Sequence, residues 1–364
     1  MNITIIAGAR PNFMKIAPII ESIEKEAAKG RHIQYRLVHT GQHYDKKMSH
    51  DFFEQLGIPE PDANLEAGGG TQAEQTANIM VRFEKELIYH PADIVLVVGD
   101  VTSTMACSIV AKKLHTKVAH VEAGIRSGDL SMPEEINRMV TDAITDYFFT
   151  TTELANENLR KSGMKEENIF FVGNTMIDTL LKQMPRFIKP EIWNEFSLQE
   201  KGYFIITLHR PANVDQEKDL MKLMKEIVIL SRDLPIIFPV HPRTAQILGR
   251  IGLEAPNLHV VEPLSYLEFN YLVKYAKAVI TDSGGITEET TVMGIPCMTL
   301  RNNTERPETC NVGTNELLGT DPKALKPAMN RLFEGKWKKG AVPDLWDGNA
   351  AIRIVEHLVE LSKN

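Results

Sequence analysis

The stretch DIVLVVGD, residues 93–100, decides the fold class, because it is a continuous apolar run that ends in a glycine and an aspartate. A strand with one face in water alternates polar and apolar residues, whereas a continuously apolar strand is covered on both faces. A helical pattern follows at residues 104–114, and similar strand and helix patterns alternate on both sides of it. The sequence therefore predicts parallel sheets with helices on both faces.

This alternation occurs twice along the chain. The first half contains the predicted strands ITIIAG, YRLVHT, DIVLVVGD, KVAHVEAG, DYFFTTT and NIFFVGN, and the second contains FIITLHRP, LPIIFPVHPRT, LHVVEPL, AKAVITDSGG and IPCMTLRN. Helices are expected at 14–28, 48–56, 104–114, 134–146, 153–161, 176–184, 216–232, 267–276 and 286–293. We expect two doubly wound, Rossmann-like α/β domains at 1–172 and 173–349, with a closing helix within 350–364 that can pack back on the first domain.

Composition excludes several classes of function. The 364 residues suffice for two cores, and a net charge of -7 argues against non-specific binding to nucleic acid. The three cysteines are too few and too scattered for a disulfide framework or a structural zinc site. The N-terminus resembles a first strand, and no apolar window reaches the length of a membrane span. We therefore expect a cytoplasmic protein without a membrane or nucleic-acid partner.

Polar residues and a pair of glycines follow the predicted strands, at the edge where open α/β sheets bind ligands. They are Arg10, Gln42, His43, Asp100, Glu122, His209, Arg210, His241, Ser283, Gly284 and Gly285. If the two sheets face one another, these residues line one cleft.

The residues alone leave the role of several of these positions open. Ser283 and the two following glycines suit a diphosphate at a helix N-terminus, and they equally suit an ordinary helix cap. Asp100 is either a desolvated acid or base, or a cap of the next helix. Arg10 and Lys15 are either phosphate or sugar contacts, or surface cations. His209 and His241, each near an arginine, favour anion binding over a structural role.

The stretch VEAGIRSGDLSMPEEINR, residues 121–138, combines carboxylates with a helix start. Ser131 and Glu134 match a capping box, and Glu134 precedes Arg138 by one helical turn. Glu122 follows an apolar run, where a paired or perturbed carboxylate is expected. Asp129 and Glu135 are expected to be solvated.

Cofactor chemistry has no support in the sequence. The chain lacks the HExxH and paired-cysteine patterns of metal sites, and its first strand lacks the G-x-G-x-x-G turn of dinucleotide-binding proteins. A G-x-S-x-G nucleophile elbow is also missing. We therefore expect neither a metal nor a cofactor.

Nine motifs, in order along nearly the whole chain, resemble the UDP-N-acetylglucosamine 2-epimerase family, whose fold is similar to that of GT-B glycosyltransferases. They are GARPNFMK, TGQH, GDVTST, HVEAGIRS, MPEEINR, LHRPANVD, VHPRT, TDSGGITEE and NTERPE. The resemblance implies reversible inversion at C2 of the sugar, from UDP-N-acetylglucosamine to UDP-N-acetylmannosamine. It also implies anti elimination of UDP and a 2-acetamidoglucal intermediate.

The same resemblance implies roles for individual residues. Asp100, Glu122 and Glu134 would surround C2, and His209 would act near the leaving group. The implied substrate contacts are Arg10, Lys15, Arg138, His241, Leu264, Phe269, Ser283, Gly284, Gly285, Glu289 and Arg306. Gln42 and His43 match a loop near which substrate can also bind as an allosteric activator. A homodimer that supplies cell-surface polysaccharide precursors is implied as well.

Two departures from the family pattern leave the substrate open. The chain has Asn12 where many relatives have glutamate, and Pro211-Ala212 where many have Arg-Glu. The GARPNF form is similar to the branch that acts on UDP-2,3-diacetamido-glucuronate. A hydrolysing 2-epimerase, a GT-B UDP-sugar glycosyltransferase and a nucleotide-sugar sensor are the further alternatives.

Overall fold

The structure is a computed structural model that describes residues 1–42, 55–210, 213, 216–240, 242–252 and 254–363, without the side chains of Arg10, Pro242, Arg243 and Ile251. The chain forms two compact units. The first unit consists of Met1–Lys182 and Asp344–Asn364, and the second of Gln183–Pro343. The first unit thus extends ten residues beyond the boundary expected after residue 172, and it includes the closing helix.

The first unit is built on a wholly parallel sheet of seven strands in the order β3-β2-β1-β4-β5-β6-β7. The strands are β1 (Asn2–Ala7), β2 (Gln34–His39), β3 (Ala63–Asn64), β4 (Ile94–Val98), β5 (Lys117–Val121), β6 (Tyr147–Thr150) and β7 (Ile169–Phe171). The helices are α1 (Arg10–Ala28), α2 (Gln72–Tyr89), α3 (Thr102–Lys113), α4 (Pro133–Ile144), α5 (Glu153–Lys161), α6 (Thr175–Gln183) and the closing helix α14 (Ala350–Leu361).

The second unit repeats this arrangement with six parallel strands in the order β10-β9-β8-β11-β12-β13. Its strands are β8 (Phe204–Thr207), β9 (Ile236–Pro239), β10 (Leu258–Val261), β11 (Ala278–Thr281), β12 (Cys297–Thr299) and β13 (Asn315–Leu317). Its helices are α7 (Ile192–Glu195), α8 (Glu217–Leu230), α9 (Pro242–Ile251), α10 (Tyr266–Tyr275), α11 (Gly284–Met293), α12 (Pro307–Asn311) and α13 (Leu325–Phe333). The predicted fold class, two doubly wound Rossmann-like units, is confirmed.

Strand β4 shows why these residues form a buried sheet. All five of its residues are buried, and Val95 and Val97 share one apolar cluster with Phe83 of α2 and Ala106 of α3. In the neighbouring strand pair, Val98 lies opposite Val121. The residues that follow β4 and β5 therefore emerge at the same edge of the sheet.

Helix α1 begins four residues earlier than the periodicity predicted and continues through Pro18. Proline has no N–H, so the carbonyl oxygen of Met14 lacks its usual helical donor. The hydroxyl of Thr179 on α6 donates to this oxygen at 2.6 Å. A side chain from another helix thus replaces the hydrogen bond that Pro18 cannot donate within α1.

Several elements escaped the sequence prediction. Helix α2 was missed although Thr71 and Glu74 form a capping box at its start and Ile79, Phe83 and Leu87 are spaced as a buried face. The strands β3 and β13 and the helices α7, α9, α12 and α13 were also missed. The helix expected at 48–56 falls mostly outside the described residues. In the described part of the chain, no helix is both long and apolar enough to span a bilayer.

Helix α14 is anchored within the first unit. Asp178 accepts hydrogen bonds from the backbone N–H groups of Ala350 and Ala351, at 3.1 and 2.7 Å. Arg353 donates to the carbonyl of Val172 at 3.0 Å. These contacts stabilise the N-terminus of α14 through a side chain on α6 rather than through a local cap.

Candidate active site

A buried ion pair lies at the carboxyl edge of the first sheet. Lys15 Nζ on α1 lies 2.5 Å from Glu122 Oε2, which follows β5, and their side chains are 11% and 3% exposed. Glu122 has a φ of +69°, and its N–H donates to the carbonyl of Phe149 at 2.9 Å. A buried carboxylate needs such a cationic partner, and the positive φ is a conformation that residues other than glycine seldom adopt.

Asp100 follows the neighbouring strand and pairs with Arg138, whose Nη2 lies 2.5 Å from Asp100 Oδ2. Helix α3 is capped by Val101 without a side-chain hydrogen bond, so Asp100 is not a helix cap. Gly99 precedes Asp100 with a φ of +67°, and a Cβ there would lie 2.9 Å from Lys15 Nζ. The Lys15–Glu122 pair therefore packs closely against Gly99, whose positive φ favours glycine.

The expectation that Glu135 is solvated is wrong. Its carboxylate is 2% exposed and accepts hydrogen bonds from Ser127 N at 2.9 Å, Gly128 N at 3.0 Å and Arg138 Nη1 at 2.7 Å. Burial alone would raise the pKa of this carboxyl, but these donors more than offset that effect and lower the pKa. Glu135 thus holds both the loop before α4 and the arginine that pairs with Asp100.

The predicted capping box of Ser131 and Glu134 is also wrong. Met132 is the N-cap of α4, and the Ser131 hydroxyl donates to Asp129 at 2.6 Å instead. Pro133 occupies the first turn, as the sequence predicted. Glu134 is half-buried and makes no hydrogen bond or ion pair with any residue that the structure describes, so its carboxylate has no structural role there.

The turn between β1 and α1 is tied to the end of β4 by Asn12. Its side-chain oxygen accepts from the backbone of Gly8 and Ala9, at 3.0 Å each, and its Nδ2 donates to the carbonyl of Val98 at 3.2 Å. A glutamate at this position could accept the first two bonds but could not donate the third. The departure at Asn12 therefore changes how this turn is held.

Gln42 connects the loop after β2 to the start of α3. Its side-chain oxygen accepts from Ser103 N at 3.2 Å and from the Ser103 hydroxyl at 2.8 Å. The predicted site positions Arg10 (as a side chain), His43 and His241 lie outside the described residues.

In the second unit, the buried Asp282 organises the turn after β8. Its Oδ1 lies 2.8 Å from His209 Nδ1, and its Oδ2 accepts from Arg210 N at 2.9 Å and Asn213 Nδ2 at 3.0 Å. Burial would raise the pKa of the Asp282 carboxyl, but His209 and the other donors lower it. With Nδ1 bound to Asp282, the more distant ring nitrogen of the exposed His209 side chain is left to act as acid or base.

Sequence reasoning missed Asp282, which was considered only as a helix cap. The N-cap of α11 is Ser283, without a side-chain hydrogen bond. A carboxylate that directly follows the fully buried strand β11 was the signal that a partner should be sought. The partner lies on β8, which neighbours β11 only in the folded sheet.

Helix α11 starts with two glycines that bring backbone N–H groups to the sheet edge. A Cβ on Gly284 would lie 2.7 Å from Glu305 Oε1, so a larger residue here would require the Glu305 side chain to shift. Arg301 Nη2 lies 2.5 Å from Glu305 Oε2; burial raises the pKa of Glu305, yet Arg301 lowers it to about 2. A helix N-terminus with half-buried glycines can bind an anion, and the role of Ser283 as N-cap does not prevent this.

The remaining predicted contacts of the second unit lie near α10 and α11. Glu289 is buried and accepts from Tyr266 Oη at 2.8 Å, yet burial raises its pKa to about 7. Arg306 Nε lies 2.8 Å from Glu288 Oε1. Leu264 and Phe269 are partly buried against the apolar cluster on that side of the sheet. Within the described residues, no group of three histidine, cysteine, aspartate or glutamate side chains could hold a metal.

The two units thus carry two separate sets of predicted residues. Lys15, Asp100, Glu122 and Arg138 come together in the first unit. In the second, His209 and the start of α11 follow β8 and β11, the adjacent strands at which the strand order reverses. This is the position at which ligands bind in open α/β sheets.

Known proteins similar to this chain indicate its family. The family model described as UDP-N-acetylglucosamine 2-epimerase matches residues 25–359. The UDP-N-acetylglucosamine 2-epimerase of Methanocaldococcus jannaschii is 41% identical over 370 residues, covering 98% of this chain and 99% of that protein. The crystal structure of a Methanocaldococcus jannaschii UDP-GlcNAc 2-epimerase with UDP-GlcNAc and UDP has a TM-score of 0.87, at 41% identity, and covers 99% of this chain and 100% of that one.

A relative with a different substrate is also similar. The UDP-2,3-diacetamido-2,3-dideoxy-D-glucuronate 2-epimerase of Pseudomonas aeruginosa is 36% identical, over 99% of this chain and 100% of that protein. The extent of these matches shows the family to which the chain belongs: it is a member of the UDP-N-acetylglucosamine 2-epimerase family of enzymes.

Proposed function

We propose that this enzyme catalyses the reversible conversion of UDP-N-acetylglucosamine to UDP-N-acetylmannosamine. The observation that carries the proposal is the pair of salt bridges, Lys15 with Glu122 and Arg138 with Asp100, at the carboxyl edge of the first sheet. Each places a carboxylate beside a largely buried cation; the Glu122 side chain is 3% exposed and that of Asp100 is 30% exposed, and a positioned carboxylate can transfer a proton. The half-buried Glu134 adds a third carboxylate.

The reaction requires that a proton leave and return at C2. In the elimination step, a carboxylate removes the C2 proton while the bond between C1 and the UDP oxygen breaks, and the products are a 2-acetamidoglucal and UDP. In the return step, UDP bonds to C1 again and a proton is delivered to the opposite face of C2. Two acid–base groups on opposite faces serve both directions, and Asp100, Glu122 and Glu134 are the candidates for these roles.

The departing diphosphate requires positive potential. The N–H groups at the start of α11, with Ser283, Gly284 and Gly285, supply hydrogen-bond donors of the kind that stabilise developing negative charge. His209, oriented by Asp282, is the proton donor to the leaving oxygen. Glu289 is suited to accept hydrogen bonds from the ribose hydroxyls, and Arg306, Arg10 and His241 remain proposed anion contacts.

Two features of the chain suggest a second candidate substrate. The Pseudomonas aeruginosa relative is named for UDP-2,3-diacetamido-2,3-dideoxy-D-glucuronate, and the GARPNF stretch with Asn12 is the form that the sequence resemblance associates with that branch. The chemistry at C2 is the same for both sugars, so the two candidates differ in substrate and share the mechanism. Parallel assays with the two UDP-sugars at equal concentration discriminate them by kcat/KM.

The deciding experiment follows the C2 proton by NMR in D2O. With UDP-N-acetylglucosamine, we expect deuterium at C2 together with UDP-N-acetylmannosamine. Asp100→Asn should abolish both, whereas Asp219→Asn, which changes an exposed carboxylate, should not. If both UDP-sugars gave no deuterium exchange at C2 and no new epimer, the proposal would be overturned. Release of free N-acetylmannosamine would instead identify a hydrolysing enzyme.

We further propose that the enzyme is a homodimer that serves polysaccharide precursor synthesis in the cytoplasm and that substrate bound near Gln42 and His43 activates it. Exposed apolar side chains on α2, namely Val81, Ile88 and Tyr89, support a surface for a second copy. Light scattering tests the dimer, which would be contradicted by a monomer at micromolar concentration. A sigmoidal substrate dependence that Gln42→Ala makes hyperbolic would support activation.

A further inference from the structure

A buried histidine and aspartate lie behind the carboxylates of the first unit. The side chains of His120 on β5 and Asp142 on α4 are 0% and 1% exposed. His120 Nδ1 lies 2.7 Å from Asp142 Oδ1. His120 Nε2 lies 2.8 Å from the carbonyl oxygen of Gly99. Neither residue is among those to which the sequence or the family resemblance gave a role.

The hydrogen-bond partners of this histidine are acceptors on both sides of its ring. A carbonyl oxygen only accepts hydrogen bonds, so Nε2 must carry a proton. Asp142 Oδ2 accepts from Gly124 N at 3.1 Å and from Arg126 Nη1 at 2.6 Å. Burial would raise the pKa of the Asp142 carboxyl, but His120 and Arg126 lower it, so the carboxylate is ionised. Both ring nitrogens of His120 therefore face hydrogen-bond acceptors, Nδ1 the Asp142 carboxylate and Nε2 the Gly99 carbonyl.

The ion pair contacts each segment that carries a proposed acid–base carboxylate. The carbonyl of Gly99 belongs to the peptide that leads into Asp100, and the N–H of Gly99 donates to the carbonyl of Val121 at 3.0 Å. Gly124 follows Glu122 in the same turn. Asp142 itself lies on α4, whose first turn carries Glu134.

We propose that His120 and Asp142 are positioning residues that hold Asp100, Glu122 and Glu134 in register for proton transfer at C2. Glu122 has a positive φ angle, which is costly for a residue other than glycine, so its turn depends on external contacts to keep its conformation. The His120 ring contacts the turn before Asp100 at the carbonyl of Gly99, and the Asp142 carboxylate accepts a hydrogen bond from Gly124 in the turn of Glu122. This inference rests on the proposed function for its kinetic part but not for its structural part.

The structural part is tested by NMR on the wild-type protein with 15N-labelled histidine. We expect Nε2 of His120, assigned by the signals lost in His120→Gln, to show a directly bonded proton at about pH 7.5, because it faces the carbonyl oxygen of Gly99. A His120 ring without a proton on Nε2 at that pH would overturn the proposal. This measurement needs neither substrate nor activity, so its failure is distinct from a failure of the proposed function.

The kinetic part uses variants that keep one of the two bonds. Gln at position 120 can still reach the Gly99 carbonyl, and Asn can still reach Asp142. We expect His120→Gln, His120→Asn and Asp142→Asn to lower kcat by about 10- to 100-fold, because small misplacements of reacting groups have effects of this size. KM and the affinity for UDP should change less than about threefold, because the diphosphate contacts lie in the second unit. The exposed His32→Gln is the matched control and should retain full activity.

A purely structural role predicts a different result. The variants would then have lower Tm values, while kcat per UDP-binding site would equal that of the wild type. UDP titration counts the folded sites, so a loss of folded protein is not mistaken for a loss of turnover. Unchanged kcat per site in His120→Gln and His120→Asn would overturn the positioning role.

Discussion

The Nδ1 atom of the exposed His209 lies 2.8 Å from Oδ1 of the fully buried Asp282. We predict that Asp282→Asn lowers kcat by about 10- to 100-fold, because an amide neither fixes the orientation of the ring nor stabilises its protonated form as a carboxylate does. Steady-state kinetics on the proposed substrate measures the effect.

The pair should also behave as one unit. If Asp282 acts through His209, the double variant His209→Asn/Asp282→Asn should be no slower than His209→Asn alone. Additive losses in the double variant would show that Asp282 acts independently of the histidine. Asp219→Asn, an exposed aspartate of the same unit, should be as active as the wild type.

Glu134→Gln should remove turnover without changing stability. Glu134 makes no hydrogen bond or ion pair with the described residues, so we expect the Tm to change by less than about 2 °C, consistent with a surface substitution. Turnover should fall by at least about 100-fold, the usual contribution of an acid–base group. Calorimetry and C2 exchange in D2O measure the two effects.

Ser131→Ala is the control for this helix start. Because Met132 is the N-cap, loss of the Ser131 hydroxyl should leave stability nearly unchanged and turnover intact. Full activity in Glu134→Gln would instead remove Glu134 from the mechanism.

Glu135→Gln should destabilise the protein by roughly 2–4 kcal/mol, since it leaves the buried Arg138 with a weaker partner. Urea denaturation measures the loss. The pKa of Glu135 is lowered in the folded state, so its contribution to stability is present above a pH of about 4.5 and is lost as the pH falls through the folded pKa. Glu157→Gln, an exposed glutamate, should change stability by no more than about 0.5 kcal/mol. A Glu135 variant as stable as that control would contradict the prediction.

Glu289 should make nucleotide binding depend on pH. Burial raises its pKa to about 7, so the carboxyl is largely protonated at pH 6 and ionised at pH 8. The ionised form accepts stronger hydrogen bonds from ribose hydroxyls, so affinity for UDP-N-acetylglucosamine should rise by about 3- to 10-fold over that range. Calorimetric titration with the equilibrium mixture of the two epimers measures this affinity at each pH.

The variant Glu289→Gln provides the comparison for this titration. A glutamine does not ionise, so its affinity should be lower and constant with pH. The same pH dependence in wild type and variant would assign the effect to another group. The free energy of unfolding should change in the opposite direction. Because the pKa of Glu289 is raised in the folded state, ionisation of this residue lowers the stability of the protein as the pH rises from about 4.5 through 7.

The sequence by itself determined the architecture and the positions at which polar residues leave the strands. Continuous apolar runs such as residues 94–98 are buried on both faces, and this local property is visible without the fold. Motif order also identified the family. Helix α2 was within reach as well, since its capping box and buried spacing are local signals.

Only the tertiary structure decided which partner each charged residue has. Glu135 is buried because the loop at Ser127 and Gly128 folds over the start of α4, and Asp282 meets His209 because β8 and β11 are neighbours in the sheet. Ion pairs such as Lys15 with Glu122 join residues 107 positions apart. Periodicity reports which face of an element is apolar, whereas the partner of a buried charge depends on strand order, and strand order is a property of the whole fold.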